Sequence, residues 1–135
     1  MTSLLFVCSG NTCRSVMAEA LARRRFGNTV RVSSAGVRPQ QPADAKNAIE
    51  TLKAEFGLDA SGHLPRDERD LDLKAFDHVI VLDKFVAKQL KGAPKDRLIV
   101  LHIDDPWDDD PSKYRRCALQ IMQKISSLSI GGLPS

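Results

Sequence analysis

The chain has 135 residues, of which 42% are hydrophobic and 27% charged, and a formal net charge of +3. This balance predicts one soluble domain with one core, and the scattered basic residues do not favour a nucleic-acid partner. No apolar run approaches the roughly 18 residues of a membrane helix, and the first residues lack signal-peptide features. Because three cysteines cannot form a closed disulfide framework, we expect free thiols and a cytoplasmic location, away from membranes.

Three short apolar runs predict β-strands at residues 4–7, 78–82 and 97–101, and the alternating segment 29–36, which ends at Gly36, predicts another. Apolar residues at helical spacing predict helices over 15–26, from Pro42 to 56, over 84–91, and over a last stretch capped by Ser112. Strands that alternate with helices are typical of a parallel sheet with helices on both faces. We therefore predict an α/β fold, a single three-layer domain over residues 1–128, with 129–135 as a frayed tail.

The loop after the first strand, residues 8–14, carries the strongest functional signal and is called the phosphate loop below. Cys8 stands at the strand end, and Gly10 and Asn11 are the residue types that best tolerate positive φ. A loop that rises into a helix N-terminus turns backbone N–H groups toward one point, and Arg14 adds a planar fork of donors. The segment therefore predicts a site for a tetrahedral oxyanion, in which the positive surroundings favour Cys8 as a nucleophilic thiolate.

Several spaced motifs together resemble the low-molecular-weight protein-tyrosine-phosphatase family. They cover nearly the whole chain: "VCSGNTCRSVMAEA" (7–20), "SSAG" (33–36), "SGHLPR" (61–66), "HVIVLD" (78–83) and "DPW" (105–107). The sequence departs from the family pattern at Val16, where a proline is usual. The resemblance implies a four-stranded sheet of order 2-1-3-4 with the phosphate-binding loop after strand 1.

The resemblance also implies the catalytic residues. Cys8 would attack phosphorus and form a cysteinyl-phosphate, while Arg14 binds the equatorial oxygens. Asp105 would be the general acid and later the base that activates water, with Asp104 as its rival. Both aspartates follow the fourth strand, so they are expected at the same sheet edge as Cys8.

The remaining site residues are implied as binding and supporting groups. The backbone amides of the phosphate loop would hold the phosphate: Ser9, Gly10, Asn11, Thr12, Cys13 and Arg14. Ser15 would donate a hydrogen bond to the Cys8 sulfur. Ser34 and His63 would fix Asn11, and Asp83 would steady His63.

The resemblance implies a phosphorylated protein as the substrate, and the sequence leaves its phosphoresidue open. Trp107 is the expected aromatic wall, whereas the loop that contains Gln40 has no aromatic residue. Phosphotyrosine is the family default, but Thr12 resembles the bacterial protein-arginine phosphatases, which makes phosphoarginine the alternative. The resemblance implies no cofactor or metal, inorganic phosphate or sulfate as occupants of the site, and a monomer or weak dimer.

Cysteine chemistry leaves further possibilities. A Cys8–Cys13 disulfide would switch off the nucleophile reversibly and protect it from over-oxidation. Cys117 is interpreted as core packing, and His78 and His102 as structural or exposed. Arsenate reduction is a less favoured alternative because it needs a relay of further cysteines near the site. A non-catalytic anion-binding module is another.

Overall fold

The computed structural model describes residues 1–106 and 108–128. Within these ranges, strands and helices alternate as β1 (Thr2–Cys8), α1 (Arg14–Phe26), β2 (Val30–Gly36), α2 (Lys46–Phe56), β3 (His78–Val81), α3 (Lys84–Gln89), β4 (Leu98–Val100) and α4 (Pro111–Ser126). No helix in this part of the chain combines the length and apolar character needed to cross a membrane. Trp107 and the predicted frayed tail, residues 129–135, lie outside the described residues.

The sheet is parallel throughout, with the strand order β2-β1-β3-β4, which confirms the expected architecture. Side chains of β1 alternate between two buried layers, as a strand covered on both faces requires. Leu4 and Phe6 join the larger core beneath α1, α2 and α4. Leu5 and Val7 join the smaller core beneath α3 and the turn at residues 73–75.

The predicted elements differ from the observed ones mainly at their ends. A 3₁₀ turn at Pro42–Ala45 precedes α2, so Pro42 does not open the α-helix itself. Asp110, not Ser112, caps α4, because its carboxylate accepts a hydrogen bond from the Ser112 backbone N–H at 2.9 Å. Pro111 fits the first helical position since its missing N–H would have no intrahelical partner there.

The carboxyl ends of the four strands place the candidate residues at one edge of the sheet. Cys8 and Gly36 are register partners at the ends of β1 and β2. Asp83 follows β3, and the segment 101–110 follows β4. In parallel α/β sheets this edge is where ligands bind.

Candidate active site

Most carbonyl oxygens of the phosphate loop accept hydrogen bonds from neighbouring segments of the chain. The carbonyls of Cys8, Ser9 and Gly10 accept hydrogen bonds from the backbone N–H groups of residues 37, 38 and 40, at 2.8–3.1 Å. The Asn11 carbonyl is engaged by His63 and the Cys13 carbonyl by the N–H of residue 17. In a planar trans peptide the carbonyl of one residue and the N–H of the next point in opposite directions. The N–H groups of residues 9–12 and 14 therefore turn inward, which forms the predicted anion nest.

Asn11 holds the loop in this shape. Its φ of 55° is in the left-handed region, as predicted, whereas Gly10 does not adopt a positive φ. The Asn11 side-chain amide donates to Ser15 Oγ at 2.8 Å and to Ser34 Oγ at 2.9 Å. The side-chain oxygen of Asn11, Oδ1, accepts a hydrogen bond from the backbone N–H of Arg66 at 2.9 Å. One fully buried side chain thus joins the loop to α1, β2 and the segment after residue 60.

Gly10 instead leaves room for the Gln40 side chain. A Cβ at this position would come within 2.8 Å of the Gln40 side-chain carboxamide carbon. Gln40 therefore covers the loop at the point where a side chain is missing.

Cys8 is paired with Ser15. The Cys8 sulfur lies 2.9 Å from Ser15 Oγ, and both residues are buried. Because Ser15 Oγ already accepts from the Asn11 amide, its own hydroxyl hydrogen is available to the sulfur. A hydrogen bond donated to sulfur favours the thiolate over the thiol.

Arg14 is fixed by groups from β3 and the chain after β4. Its Nη1 donates to Asp83 Oδ2 at 2.7 Å and to the Ile103 carbonyl at 2.9 Å. Burial works to raise the Asp83 pKa, but the backbone N–H of Val86 and the guanidinium outweigh it, and the pKa lies below its ordinary value. The Arg14 side chain is only 5% exposed, and its salt bridge with Asp83 fixes the orientation of the guanidinium.

The predicted contact between Asp83 and His63 is therefore wrong. Asp83 steadies Arg14 and also caps α3, where its carboxylate accepts from the Val86 N–H at 2.8 Å. Glu19 lies nearer His63, with its carboxylate 3.9 Å from Nδ1. His63 Nε2 is 2.7 Å from the Asn11 carbonyl, which can only accept, so Nε2 carries the hydrogen. Glu19 also accepts a hydrogen bond from Ser34 Oγ at 3.2 Å, so its carboxylate lies between His63 and Ser34.

Gly36 supports the phosphate loop from below. A Cβ on Gly36 would lie 2.6 Å from the Ser9 carbonyl oxygen and 2.9 Å from the Asn11 backbone nitrogen. The sequence marked this glycine only as a strand end, but the register with Cys8 brings the two backbones together. The contact requires a residue without a side chain.

A cleft of about 520 Å³ opens above the phosphate loop. Its lining includes predicted residues from the loop together with Gln40 and Asp105. It also includes five residues that the sequence analysis did not single out: Arg38, Asp44, Asn47, Asp109 and Tyr114. Asp109 is exposed and accepts a hydrogen bond from Asn47 Nδ2 at 2.8 Å. Burial raises the Tyr114 pKa to about 12, so its phenol stays protonated at neutral pH.

The loop after β4 brings two carboxylates to this cleft, those of Asp105 and Asp109. Asp105 and Pro106 line it, and Asp105 Oδ2 is 3.9 Å from Arg14 Nη2. The Asp105 side chain is 56% exposed, which leaves it free to contact a bound group. Asp104 instead borders a neighbouring cavity of about 180 Å³ beside Cys117. The geometry favours Asp105 over Asp104 as the acid.

Thr12 and Gln40 meet across the cleft wall. The Thr12 hydroxyl donates to Gln40 Oε1. Since a hydroxyl has a single hydrogen, its oxygen faces any further partner as an acceptor.

All three cysteines are free thiols. Interaction with the Cys117 side chain and burial raise the pKa of Cys13, and the negative charges of Cys8 and Asp105 raise it further. Cys117 packs in the larger core, as predicted, and its Sγ also lies 3.6 Å from the Asp104 carbonyl. Among the described side chains, no group of three or more His, Cys, Asp or Glu residues is arranged to hold a metal ion.

Comparisons with known proteins bear on this site. The family model "Low molecular weight phosphotyrosine protein phosphatase" matches residues 3–130. The low molecular weight protein-tyrosine-phosphatase YfkJ of Bacillus subtilis is 36% identical over 90 residues, which cover 62% of this chain and 57% of that protein. The alignment thus spans just over half of YfkJ.

Relatives of other named activities also match. Arsenate reductase 1 of Staphylococcus epidermidis is 30% identical over 129 residues, 94% of this chain and 95% of that protein. The structure of the YwlE arginine phosphatase from Geobacillus stearothermophilus superposes with a TM-score of 0.80 at 28% identity, over 93% of this chain and 89% of that one. Since the family model spans nearly the whole chain and Cys8 has its expected position after β1, the chain belongs to the low molecular weight protein-tyrosine-phosphatase family of cysteine-dependent phosphatases.

Proposed function

We propose that this protein hydrolyses phosphotyrosine in phosphorylated proteins through a cysteinyl-phosphate intermediate. The observation that carries the proposal is the Cys8 sulfur, 2.9 Å from the Ser15 hydroxyl, in a loop whose carbonyl oxygens accept hydrogen bonds from neighbouring segments. This leaves the backbone N–H groups of the loop to bind a phosphate. Such donors stabilise the charge that develops on the phosphoryl oxygens in the transition state. Product phosphate, or sulfate, would bind in the same place as a competitive inhibitor.

The first step joins sulfur to phosphorus. The Cys8 thiolate attacks in line, the phosphorus–oxygen bond to tyrosine breaks, and Asp105 gives its proton to the departing phenoxide. Arg14, aimed by Asp83 at 2.7 Å, binds two phosphoryl oxygens with its planar fork. Tyr114 on the cleft wall supplies an aromatic surface beside the phenyl ring.

The second step returns the enzyme to its starting state. Asp105, now a carboxylate, takes a proton from water, whose oxygen attacks phosphorus and displaces the Cys8 thiolate. Ser15 assists because its hydroxyl stabilises sulfur as a leaving group as well as a nucleophile. Inorganic phosphate then leaves the site, and Asp105 is protonated again.

Phosphoarginine is the second candidate substrate, and the Thr12–Gln40 contact favours it. With its hydrogen committed to Gln40, the Thr12 oxygen offers lone pairs to the cleft, which suit a guanidinium N–H and not a phenyl ring. The half-exposed Asp105 carboxylate, which lines the same cleft, suits the same cationic group. The structural relative named as an arginine phosphatase supports this interpretation as well.

Turnover of two peptides that differ only in carrying phosphotyrosine or phosphoarginine tests both candidates. Wild type should hydrolyse at least one, and Cys8→Ser neither. Thr12→Ile adds bulk, whereas Thr12→Val keeps the volume and removes only the hydroxyl, so Thr12→Val is the matched control. If phosphoarginine is the substrate, Thr12→Val should lower its kcat/KM about tenfold, the value of roughly one hydrogen bond. An unchanged preference in both variants would refute the assignment of specificity to Thr12.

A further inference from the structure

The three cysteines of this chain form a connected set. Cys8 and Cys13 both line the substrate cleft, and Cys117 borders the neighbouring cavity on the other side of Asp105. The Cys13 thiol lies close enough to both Cys117 and Cys8 for each of them to raise its pKa. Cys13 packs against the core cluster that contains both other cysteines. Cys13 therefore has two possible disulfide partners.

The two alternative disulfides differ in the thiol that each leaves reduced. A Cys8–Cys13 bond removes the thiolate that Ser15 and the phosphate loop stabilise. A Cys13–Cys117 bond leaves that thiolate intact. In thiol–disulfide exchange the better stabilised thiolate is the better leaving group, so exchange favours release of Cys8.

We propose that oxidation of this site by a hydroperoxide ends on a Cys13–Cys117 disulfide, with Cys8 returned to the thiolate. This rests on the proposed function only in taking Cys8 to be the reactive thiolate. The oxidation would then be stored in the Cys13–Cys117 disulfide while Cys8 stays reduced, and each disulfide formed would correspond to one hydroperoxide reduced.

The sequence of steps balances. The Cys8 thiolate attacks the peroxide oxygen, which breaks the O–O bond and gives Cys8 sulfenic acid and an alcohol or water. Cys13 attacks the Cys8 sulfur and its proton goes to the departing hydroxyl, which leaves as water. Cys117 then attacks the Cys13 sulfur, forms the new S–S bond and releases its proton to solvent while the Cys8 thiolate departs.

The protonation of Cys13 explains the order of these steps. Its contact with Cys117 and its burial raise its pKa, so the resting Cys13 is a neutral thiol. Peroxide reacts with thiolates, and so it reacts first at Cys8. Cys13 directly precedes α1 and Cys117 lies on α4, and these two helices pack against each other.

Tryptic peptides separate the alternatives cleanly. Residues 1–14 form one peptide that contains both Cys8 and Cys13, and residues 117–124 form another that contains Cys117. Full-length reduced protein is treated with one equivalent of hydrogen peroxide, free thiols are blocked with N-ethylmaleimide, and the digest is mapped without reductant. The matched variants are Cys117→Ser and Cys13→Ser, whose phosphatase activity and thermal unfolding are first measured in the reduced state.

We expect wild type to give peptide 1–14 linked to 117–124, with the maleimide on Cys8 and phosphatase activity retained. Cys117→Ser should stop at a disulfide within peptide 1–14 and stay inactive until dithiothreitol is added. Cys13→Ser should form no disulfide and carry the single oxidising equivalent as Cys8 sulfenic acid. A wild-type product that is mainly the disulfide within 1–14, or mainly Cys8 sulfenic acid, overturns the proposal.

The wild-type peptide map is decisive by itself, so a variant that fails to fold leaves the test intact. The readout is the disulfide and not the substrate, so it stands apart from the proposed function. A protein that hydrolyses neither phosphopeptide could still form the Cys13–Cys117 bond, and an active phosphatase could fail to form it.

Discussion

Replacing Gly36 with alanine would displace the phosphate loop without changing any residue that lines the cleft. The added Cβ would lie 2.6 Å from the Ser9 carbonyl oxygen and 2.9 Å from the Asn11 nitrogen, both of them backbone atoms. Ordinary carbon–oxygen contact begins at about 3.4 Å, so the loop must retreat by roughly 0.8 Å or the strand must bend. Overpacking of this kind costs about 1–3 kcal/mol of stability.

The effect on turnover should exceed the effect on stability. The N–H groups of the loop must meet the phosphoryl oxygens closely, and a shift of about 1 Å can cost roughly 10²-fold in rate. We therefore expect Gly36→Ala to lower kcat/KM on para-nitrophenyl phosphate by about 10²-fold and to weaken competitive inhibition by phosphate. The protein should remain folded, since the loss of stability is a minor part of the roughly 5–15 kcal/mol typical of a domain.

Gly62→Ala is the control for this experiment. A Cβ at Gly62 meets nothing within 4 Å, and the residue has no positive φ, so the same chemical change adds no clash. Its kcat/KM should stay within about twofold of wild type. A Gly36→Ala protein with wild-type turnover would show that the loop tolerates this displacement and that catalysis does not depend on its close fit to Gly36.

Three further substitutions test the supports of the site. Asn11→Ala should be less stable than Asn11→Gly by about 0.5–1 kcal/mol in denaturant unfolding. The left-handed φ of 55° costs alanine about 1–2 kcal/mol, and the greater entropy of glycine in the unfolded chain offsets part of this difference. Equal stabilities of the two variants would contradict this reasoning. Asp83→Asn should lower the melting temperature at neutral pH, and because the Asp83 pKa is depressed in the folded state, the difference from wild type should shrink as the pH falls below the ordinary value of 3.8. A constant difference across that range would exclude the Arg14 ion pair as its cause. Asp105→Asn should lower kcat on phosphotyrosine by about 10²-fold or more, with a smaller loss for a substrate whose leaving group needs no proton; equal losses on both would count against its role as the acid.

Local sequence signals were sufficient for most of the fold. Continuous apolar runs marked three strands and an alternating segment marked β2, and the succession of strands and helices indicated a parallel sheet. The ends of elements were less predictable, because neighbouring residues compete for the same role. Asp110 and Ser112 are both good helix caps, and the carboxylate two residues earlier took the position.

The sequence by itself determined the chemistry of the phosphate loop, since Cys8, Asn11, Arg14 and Ser15 lie within eight residues and their roles depend on one strand-to-helix turn. Their partners were decided by the tertiary structure. Asp83 meets Arg14 across 69 positions of the chain, because β3 lies next to β1 in the sheet.

The same holds for Gly36 beneath the loop, Gln40 beside Thr12, Glu19 near His63 and Cys117 beside Cys13. A periodic pattern shows which face of an element is buried, but it does not show which distant side chain that face will meet. The contacts between distant side chains follow from the strand order and the packing of the helices, and only the tertiary structure determines these.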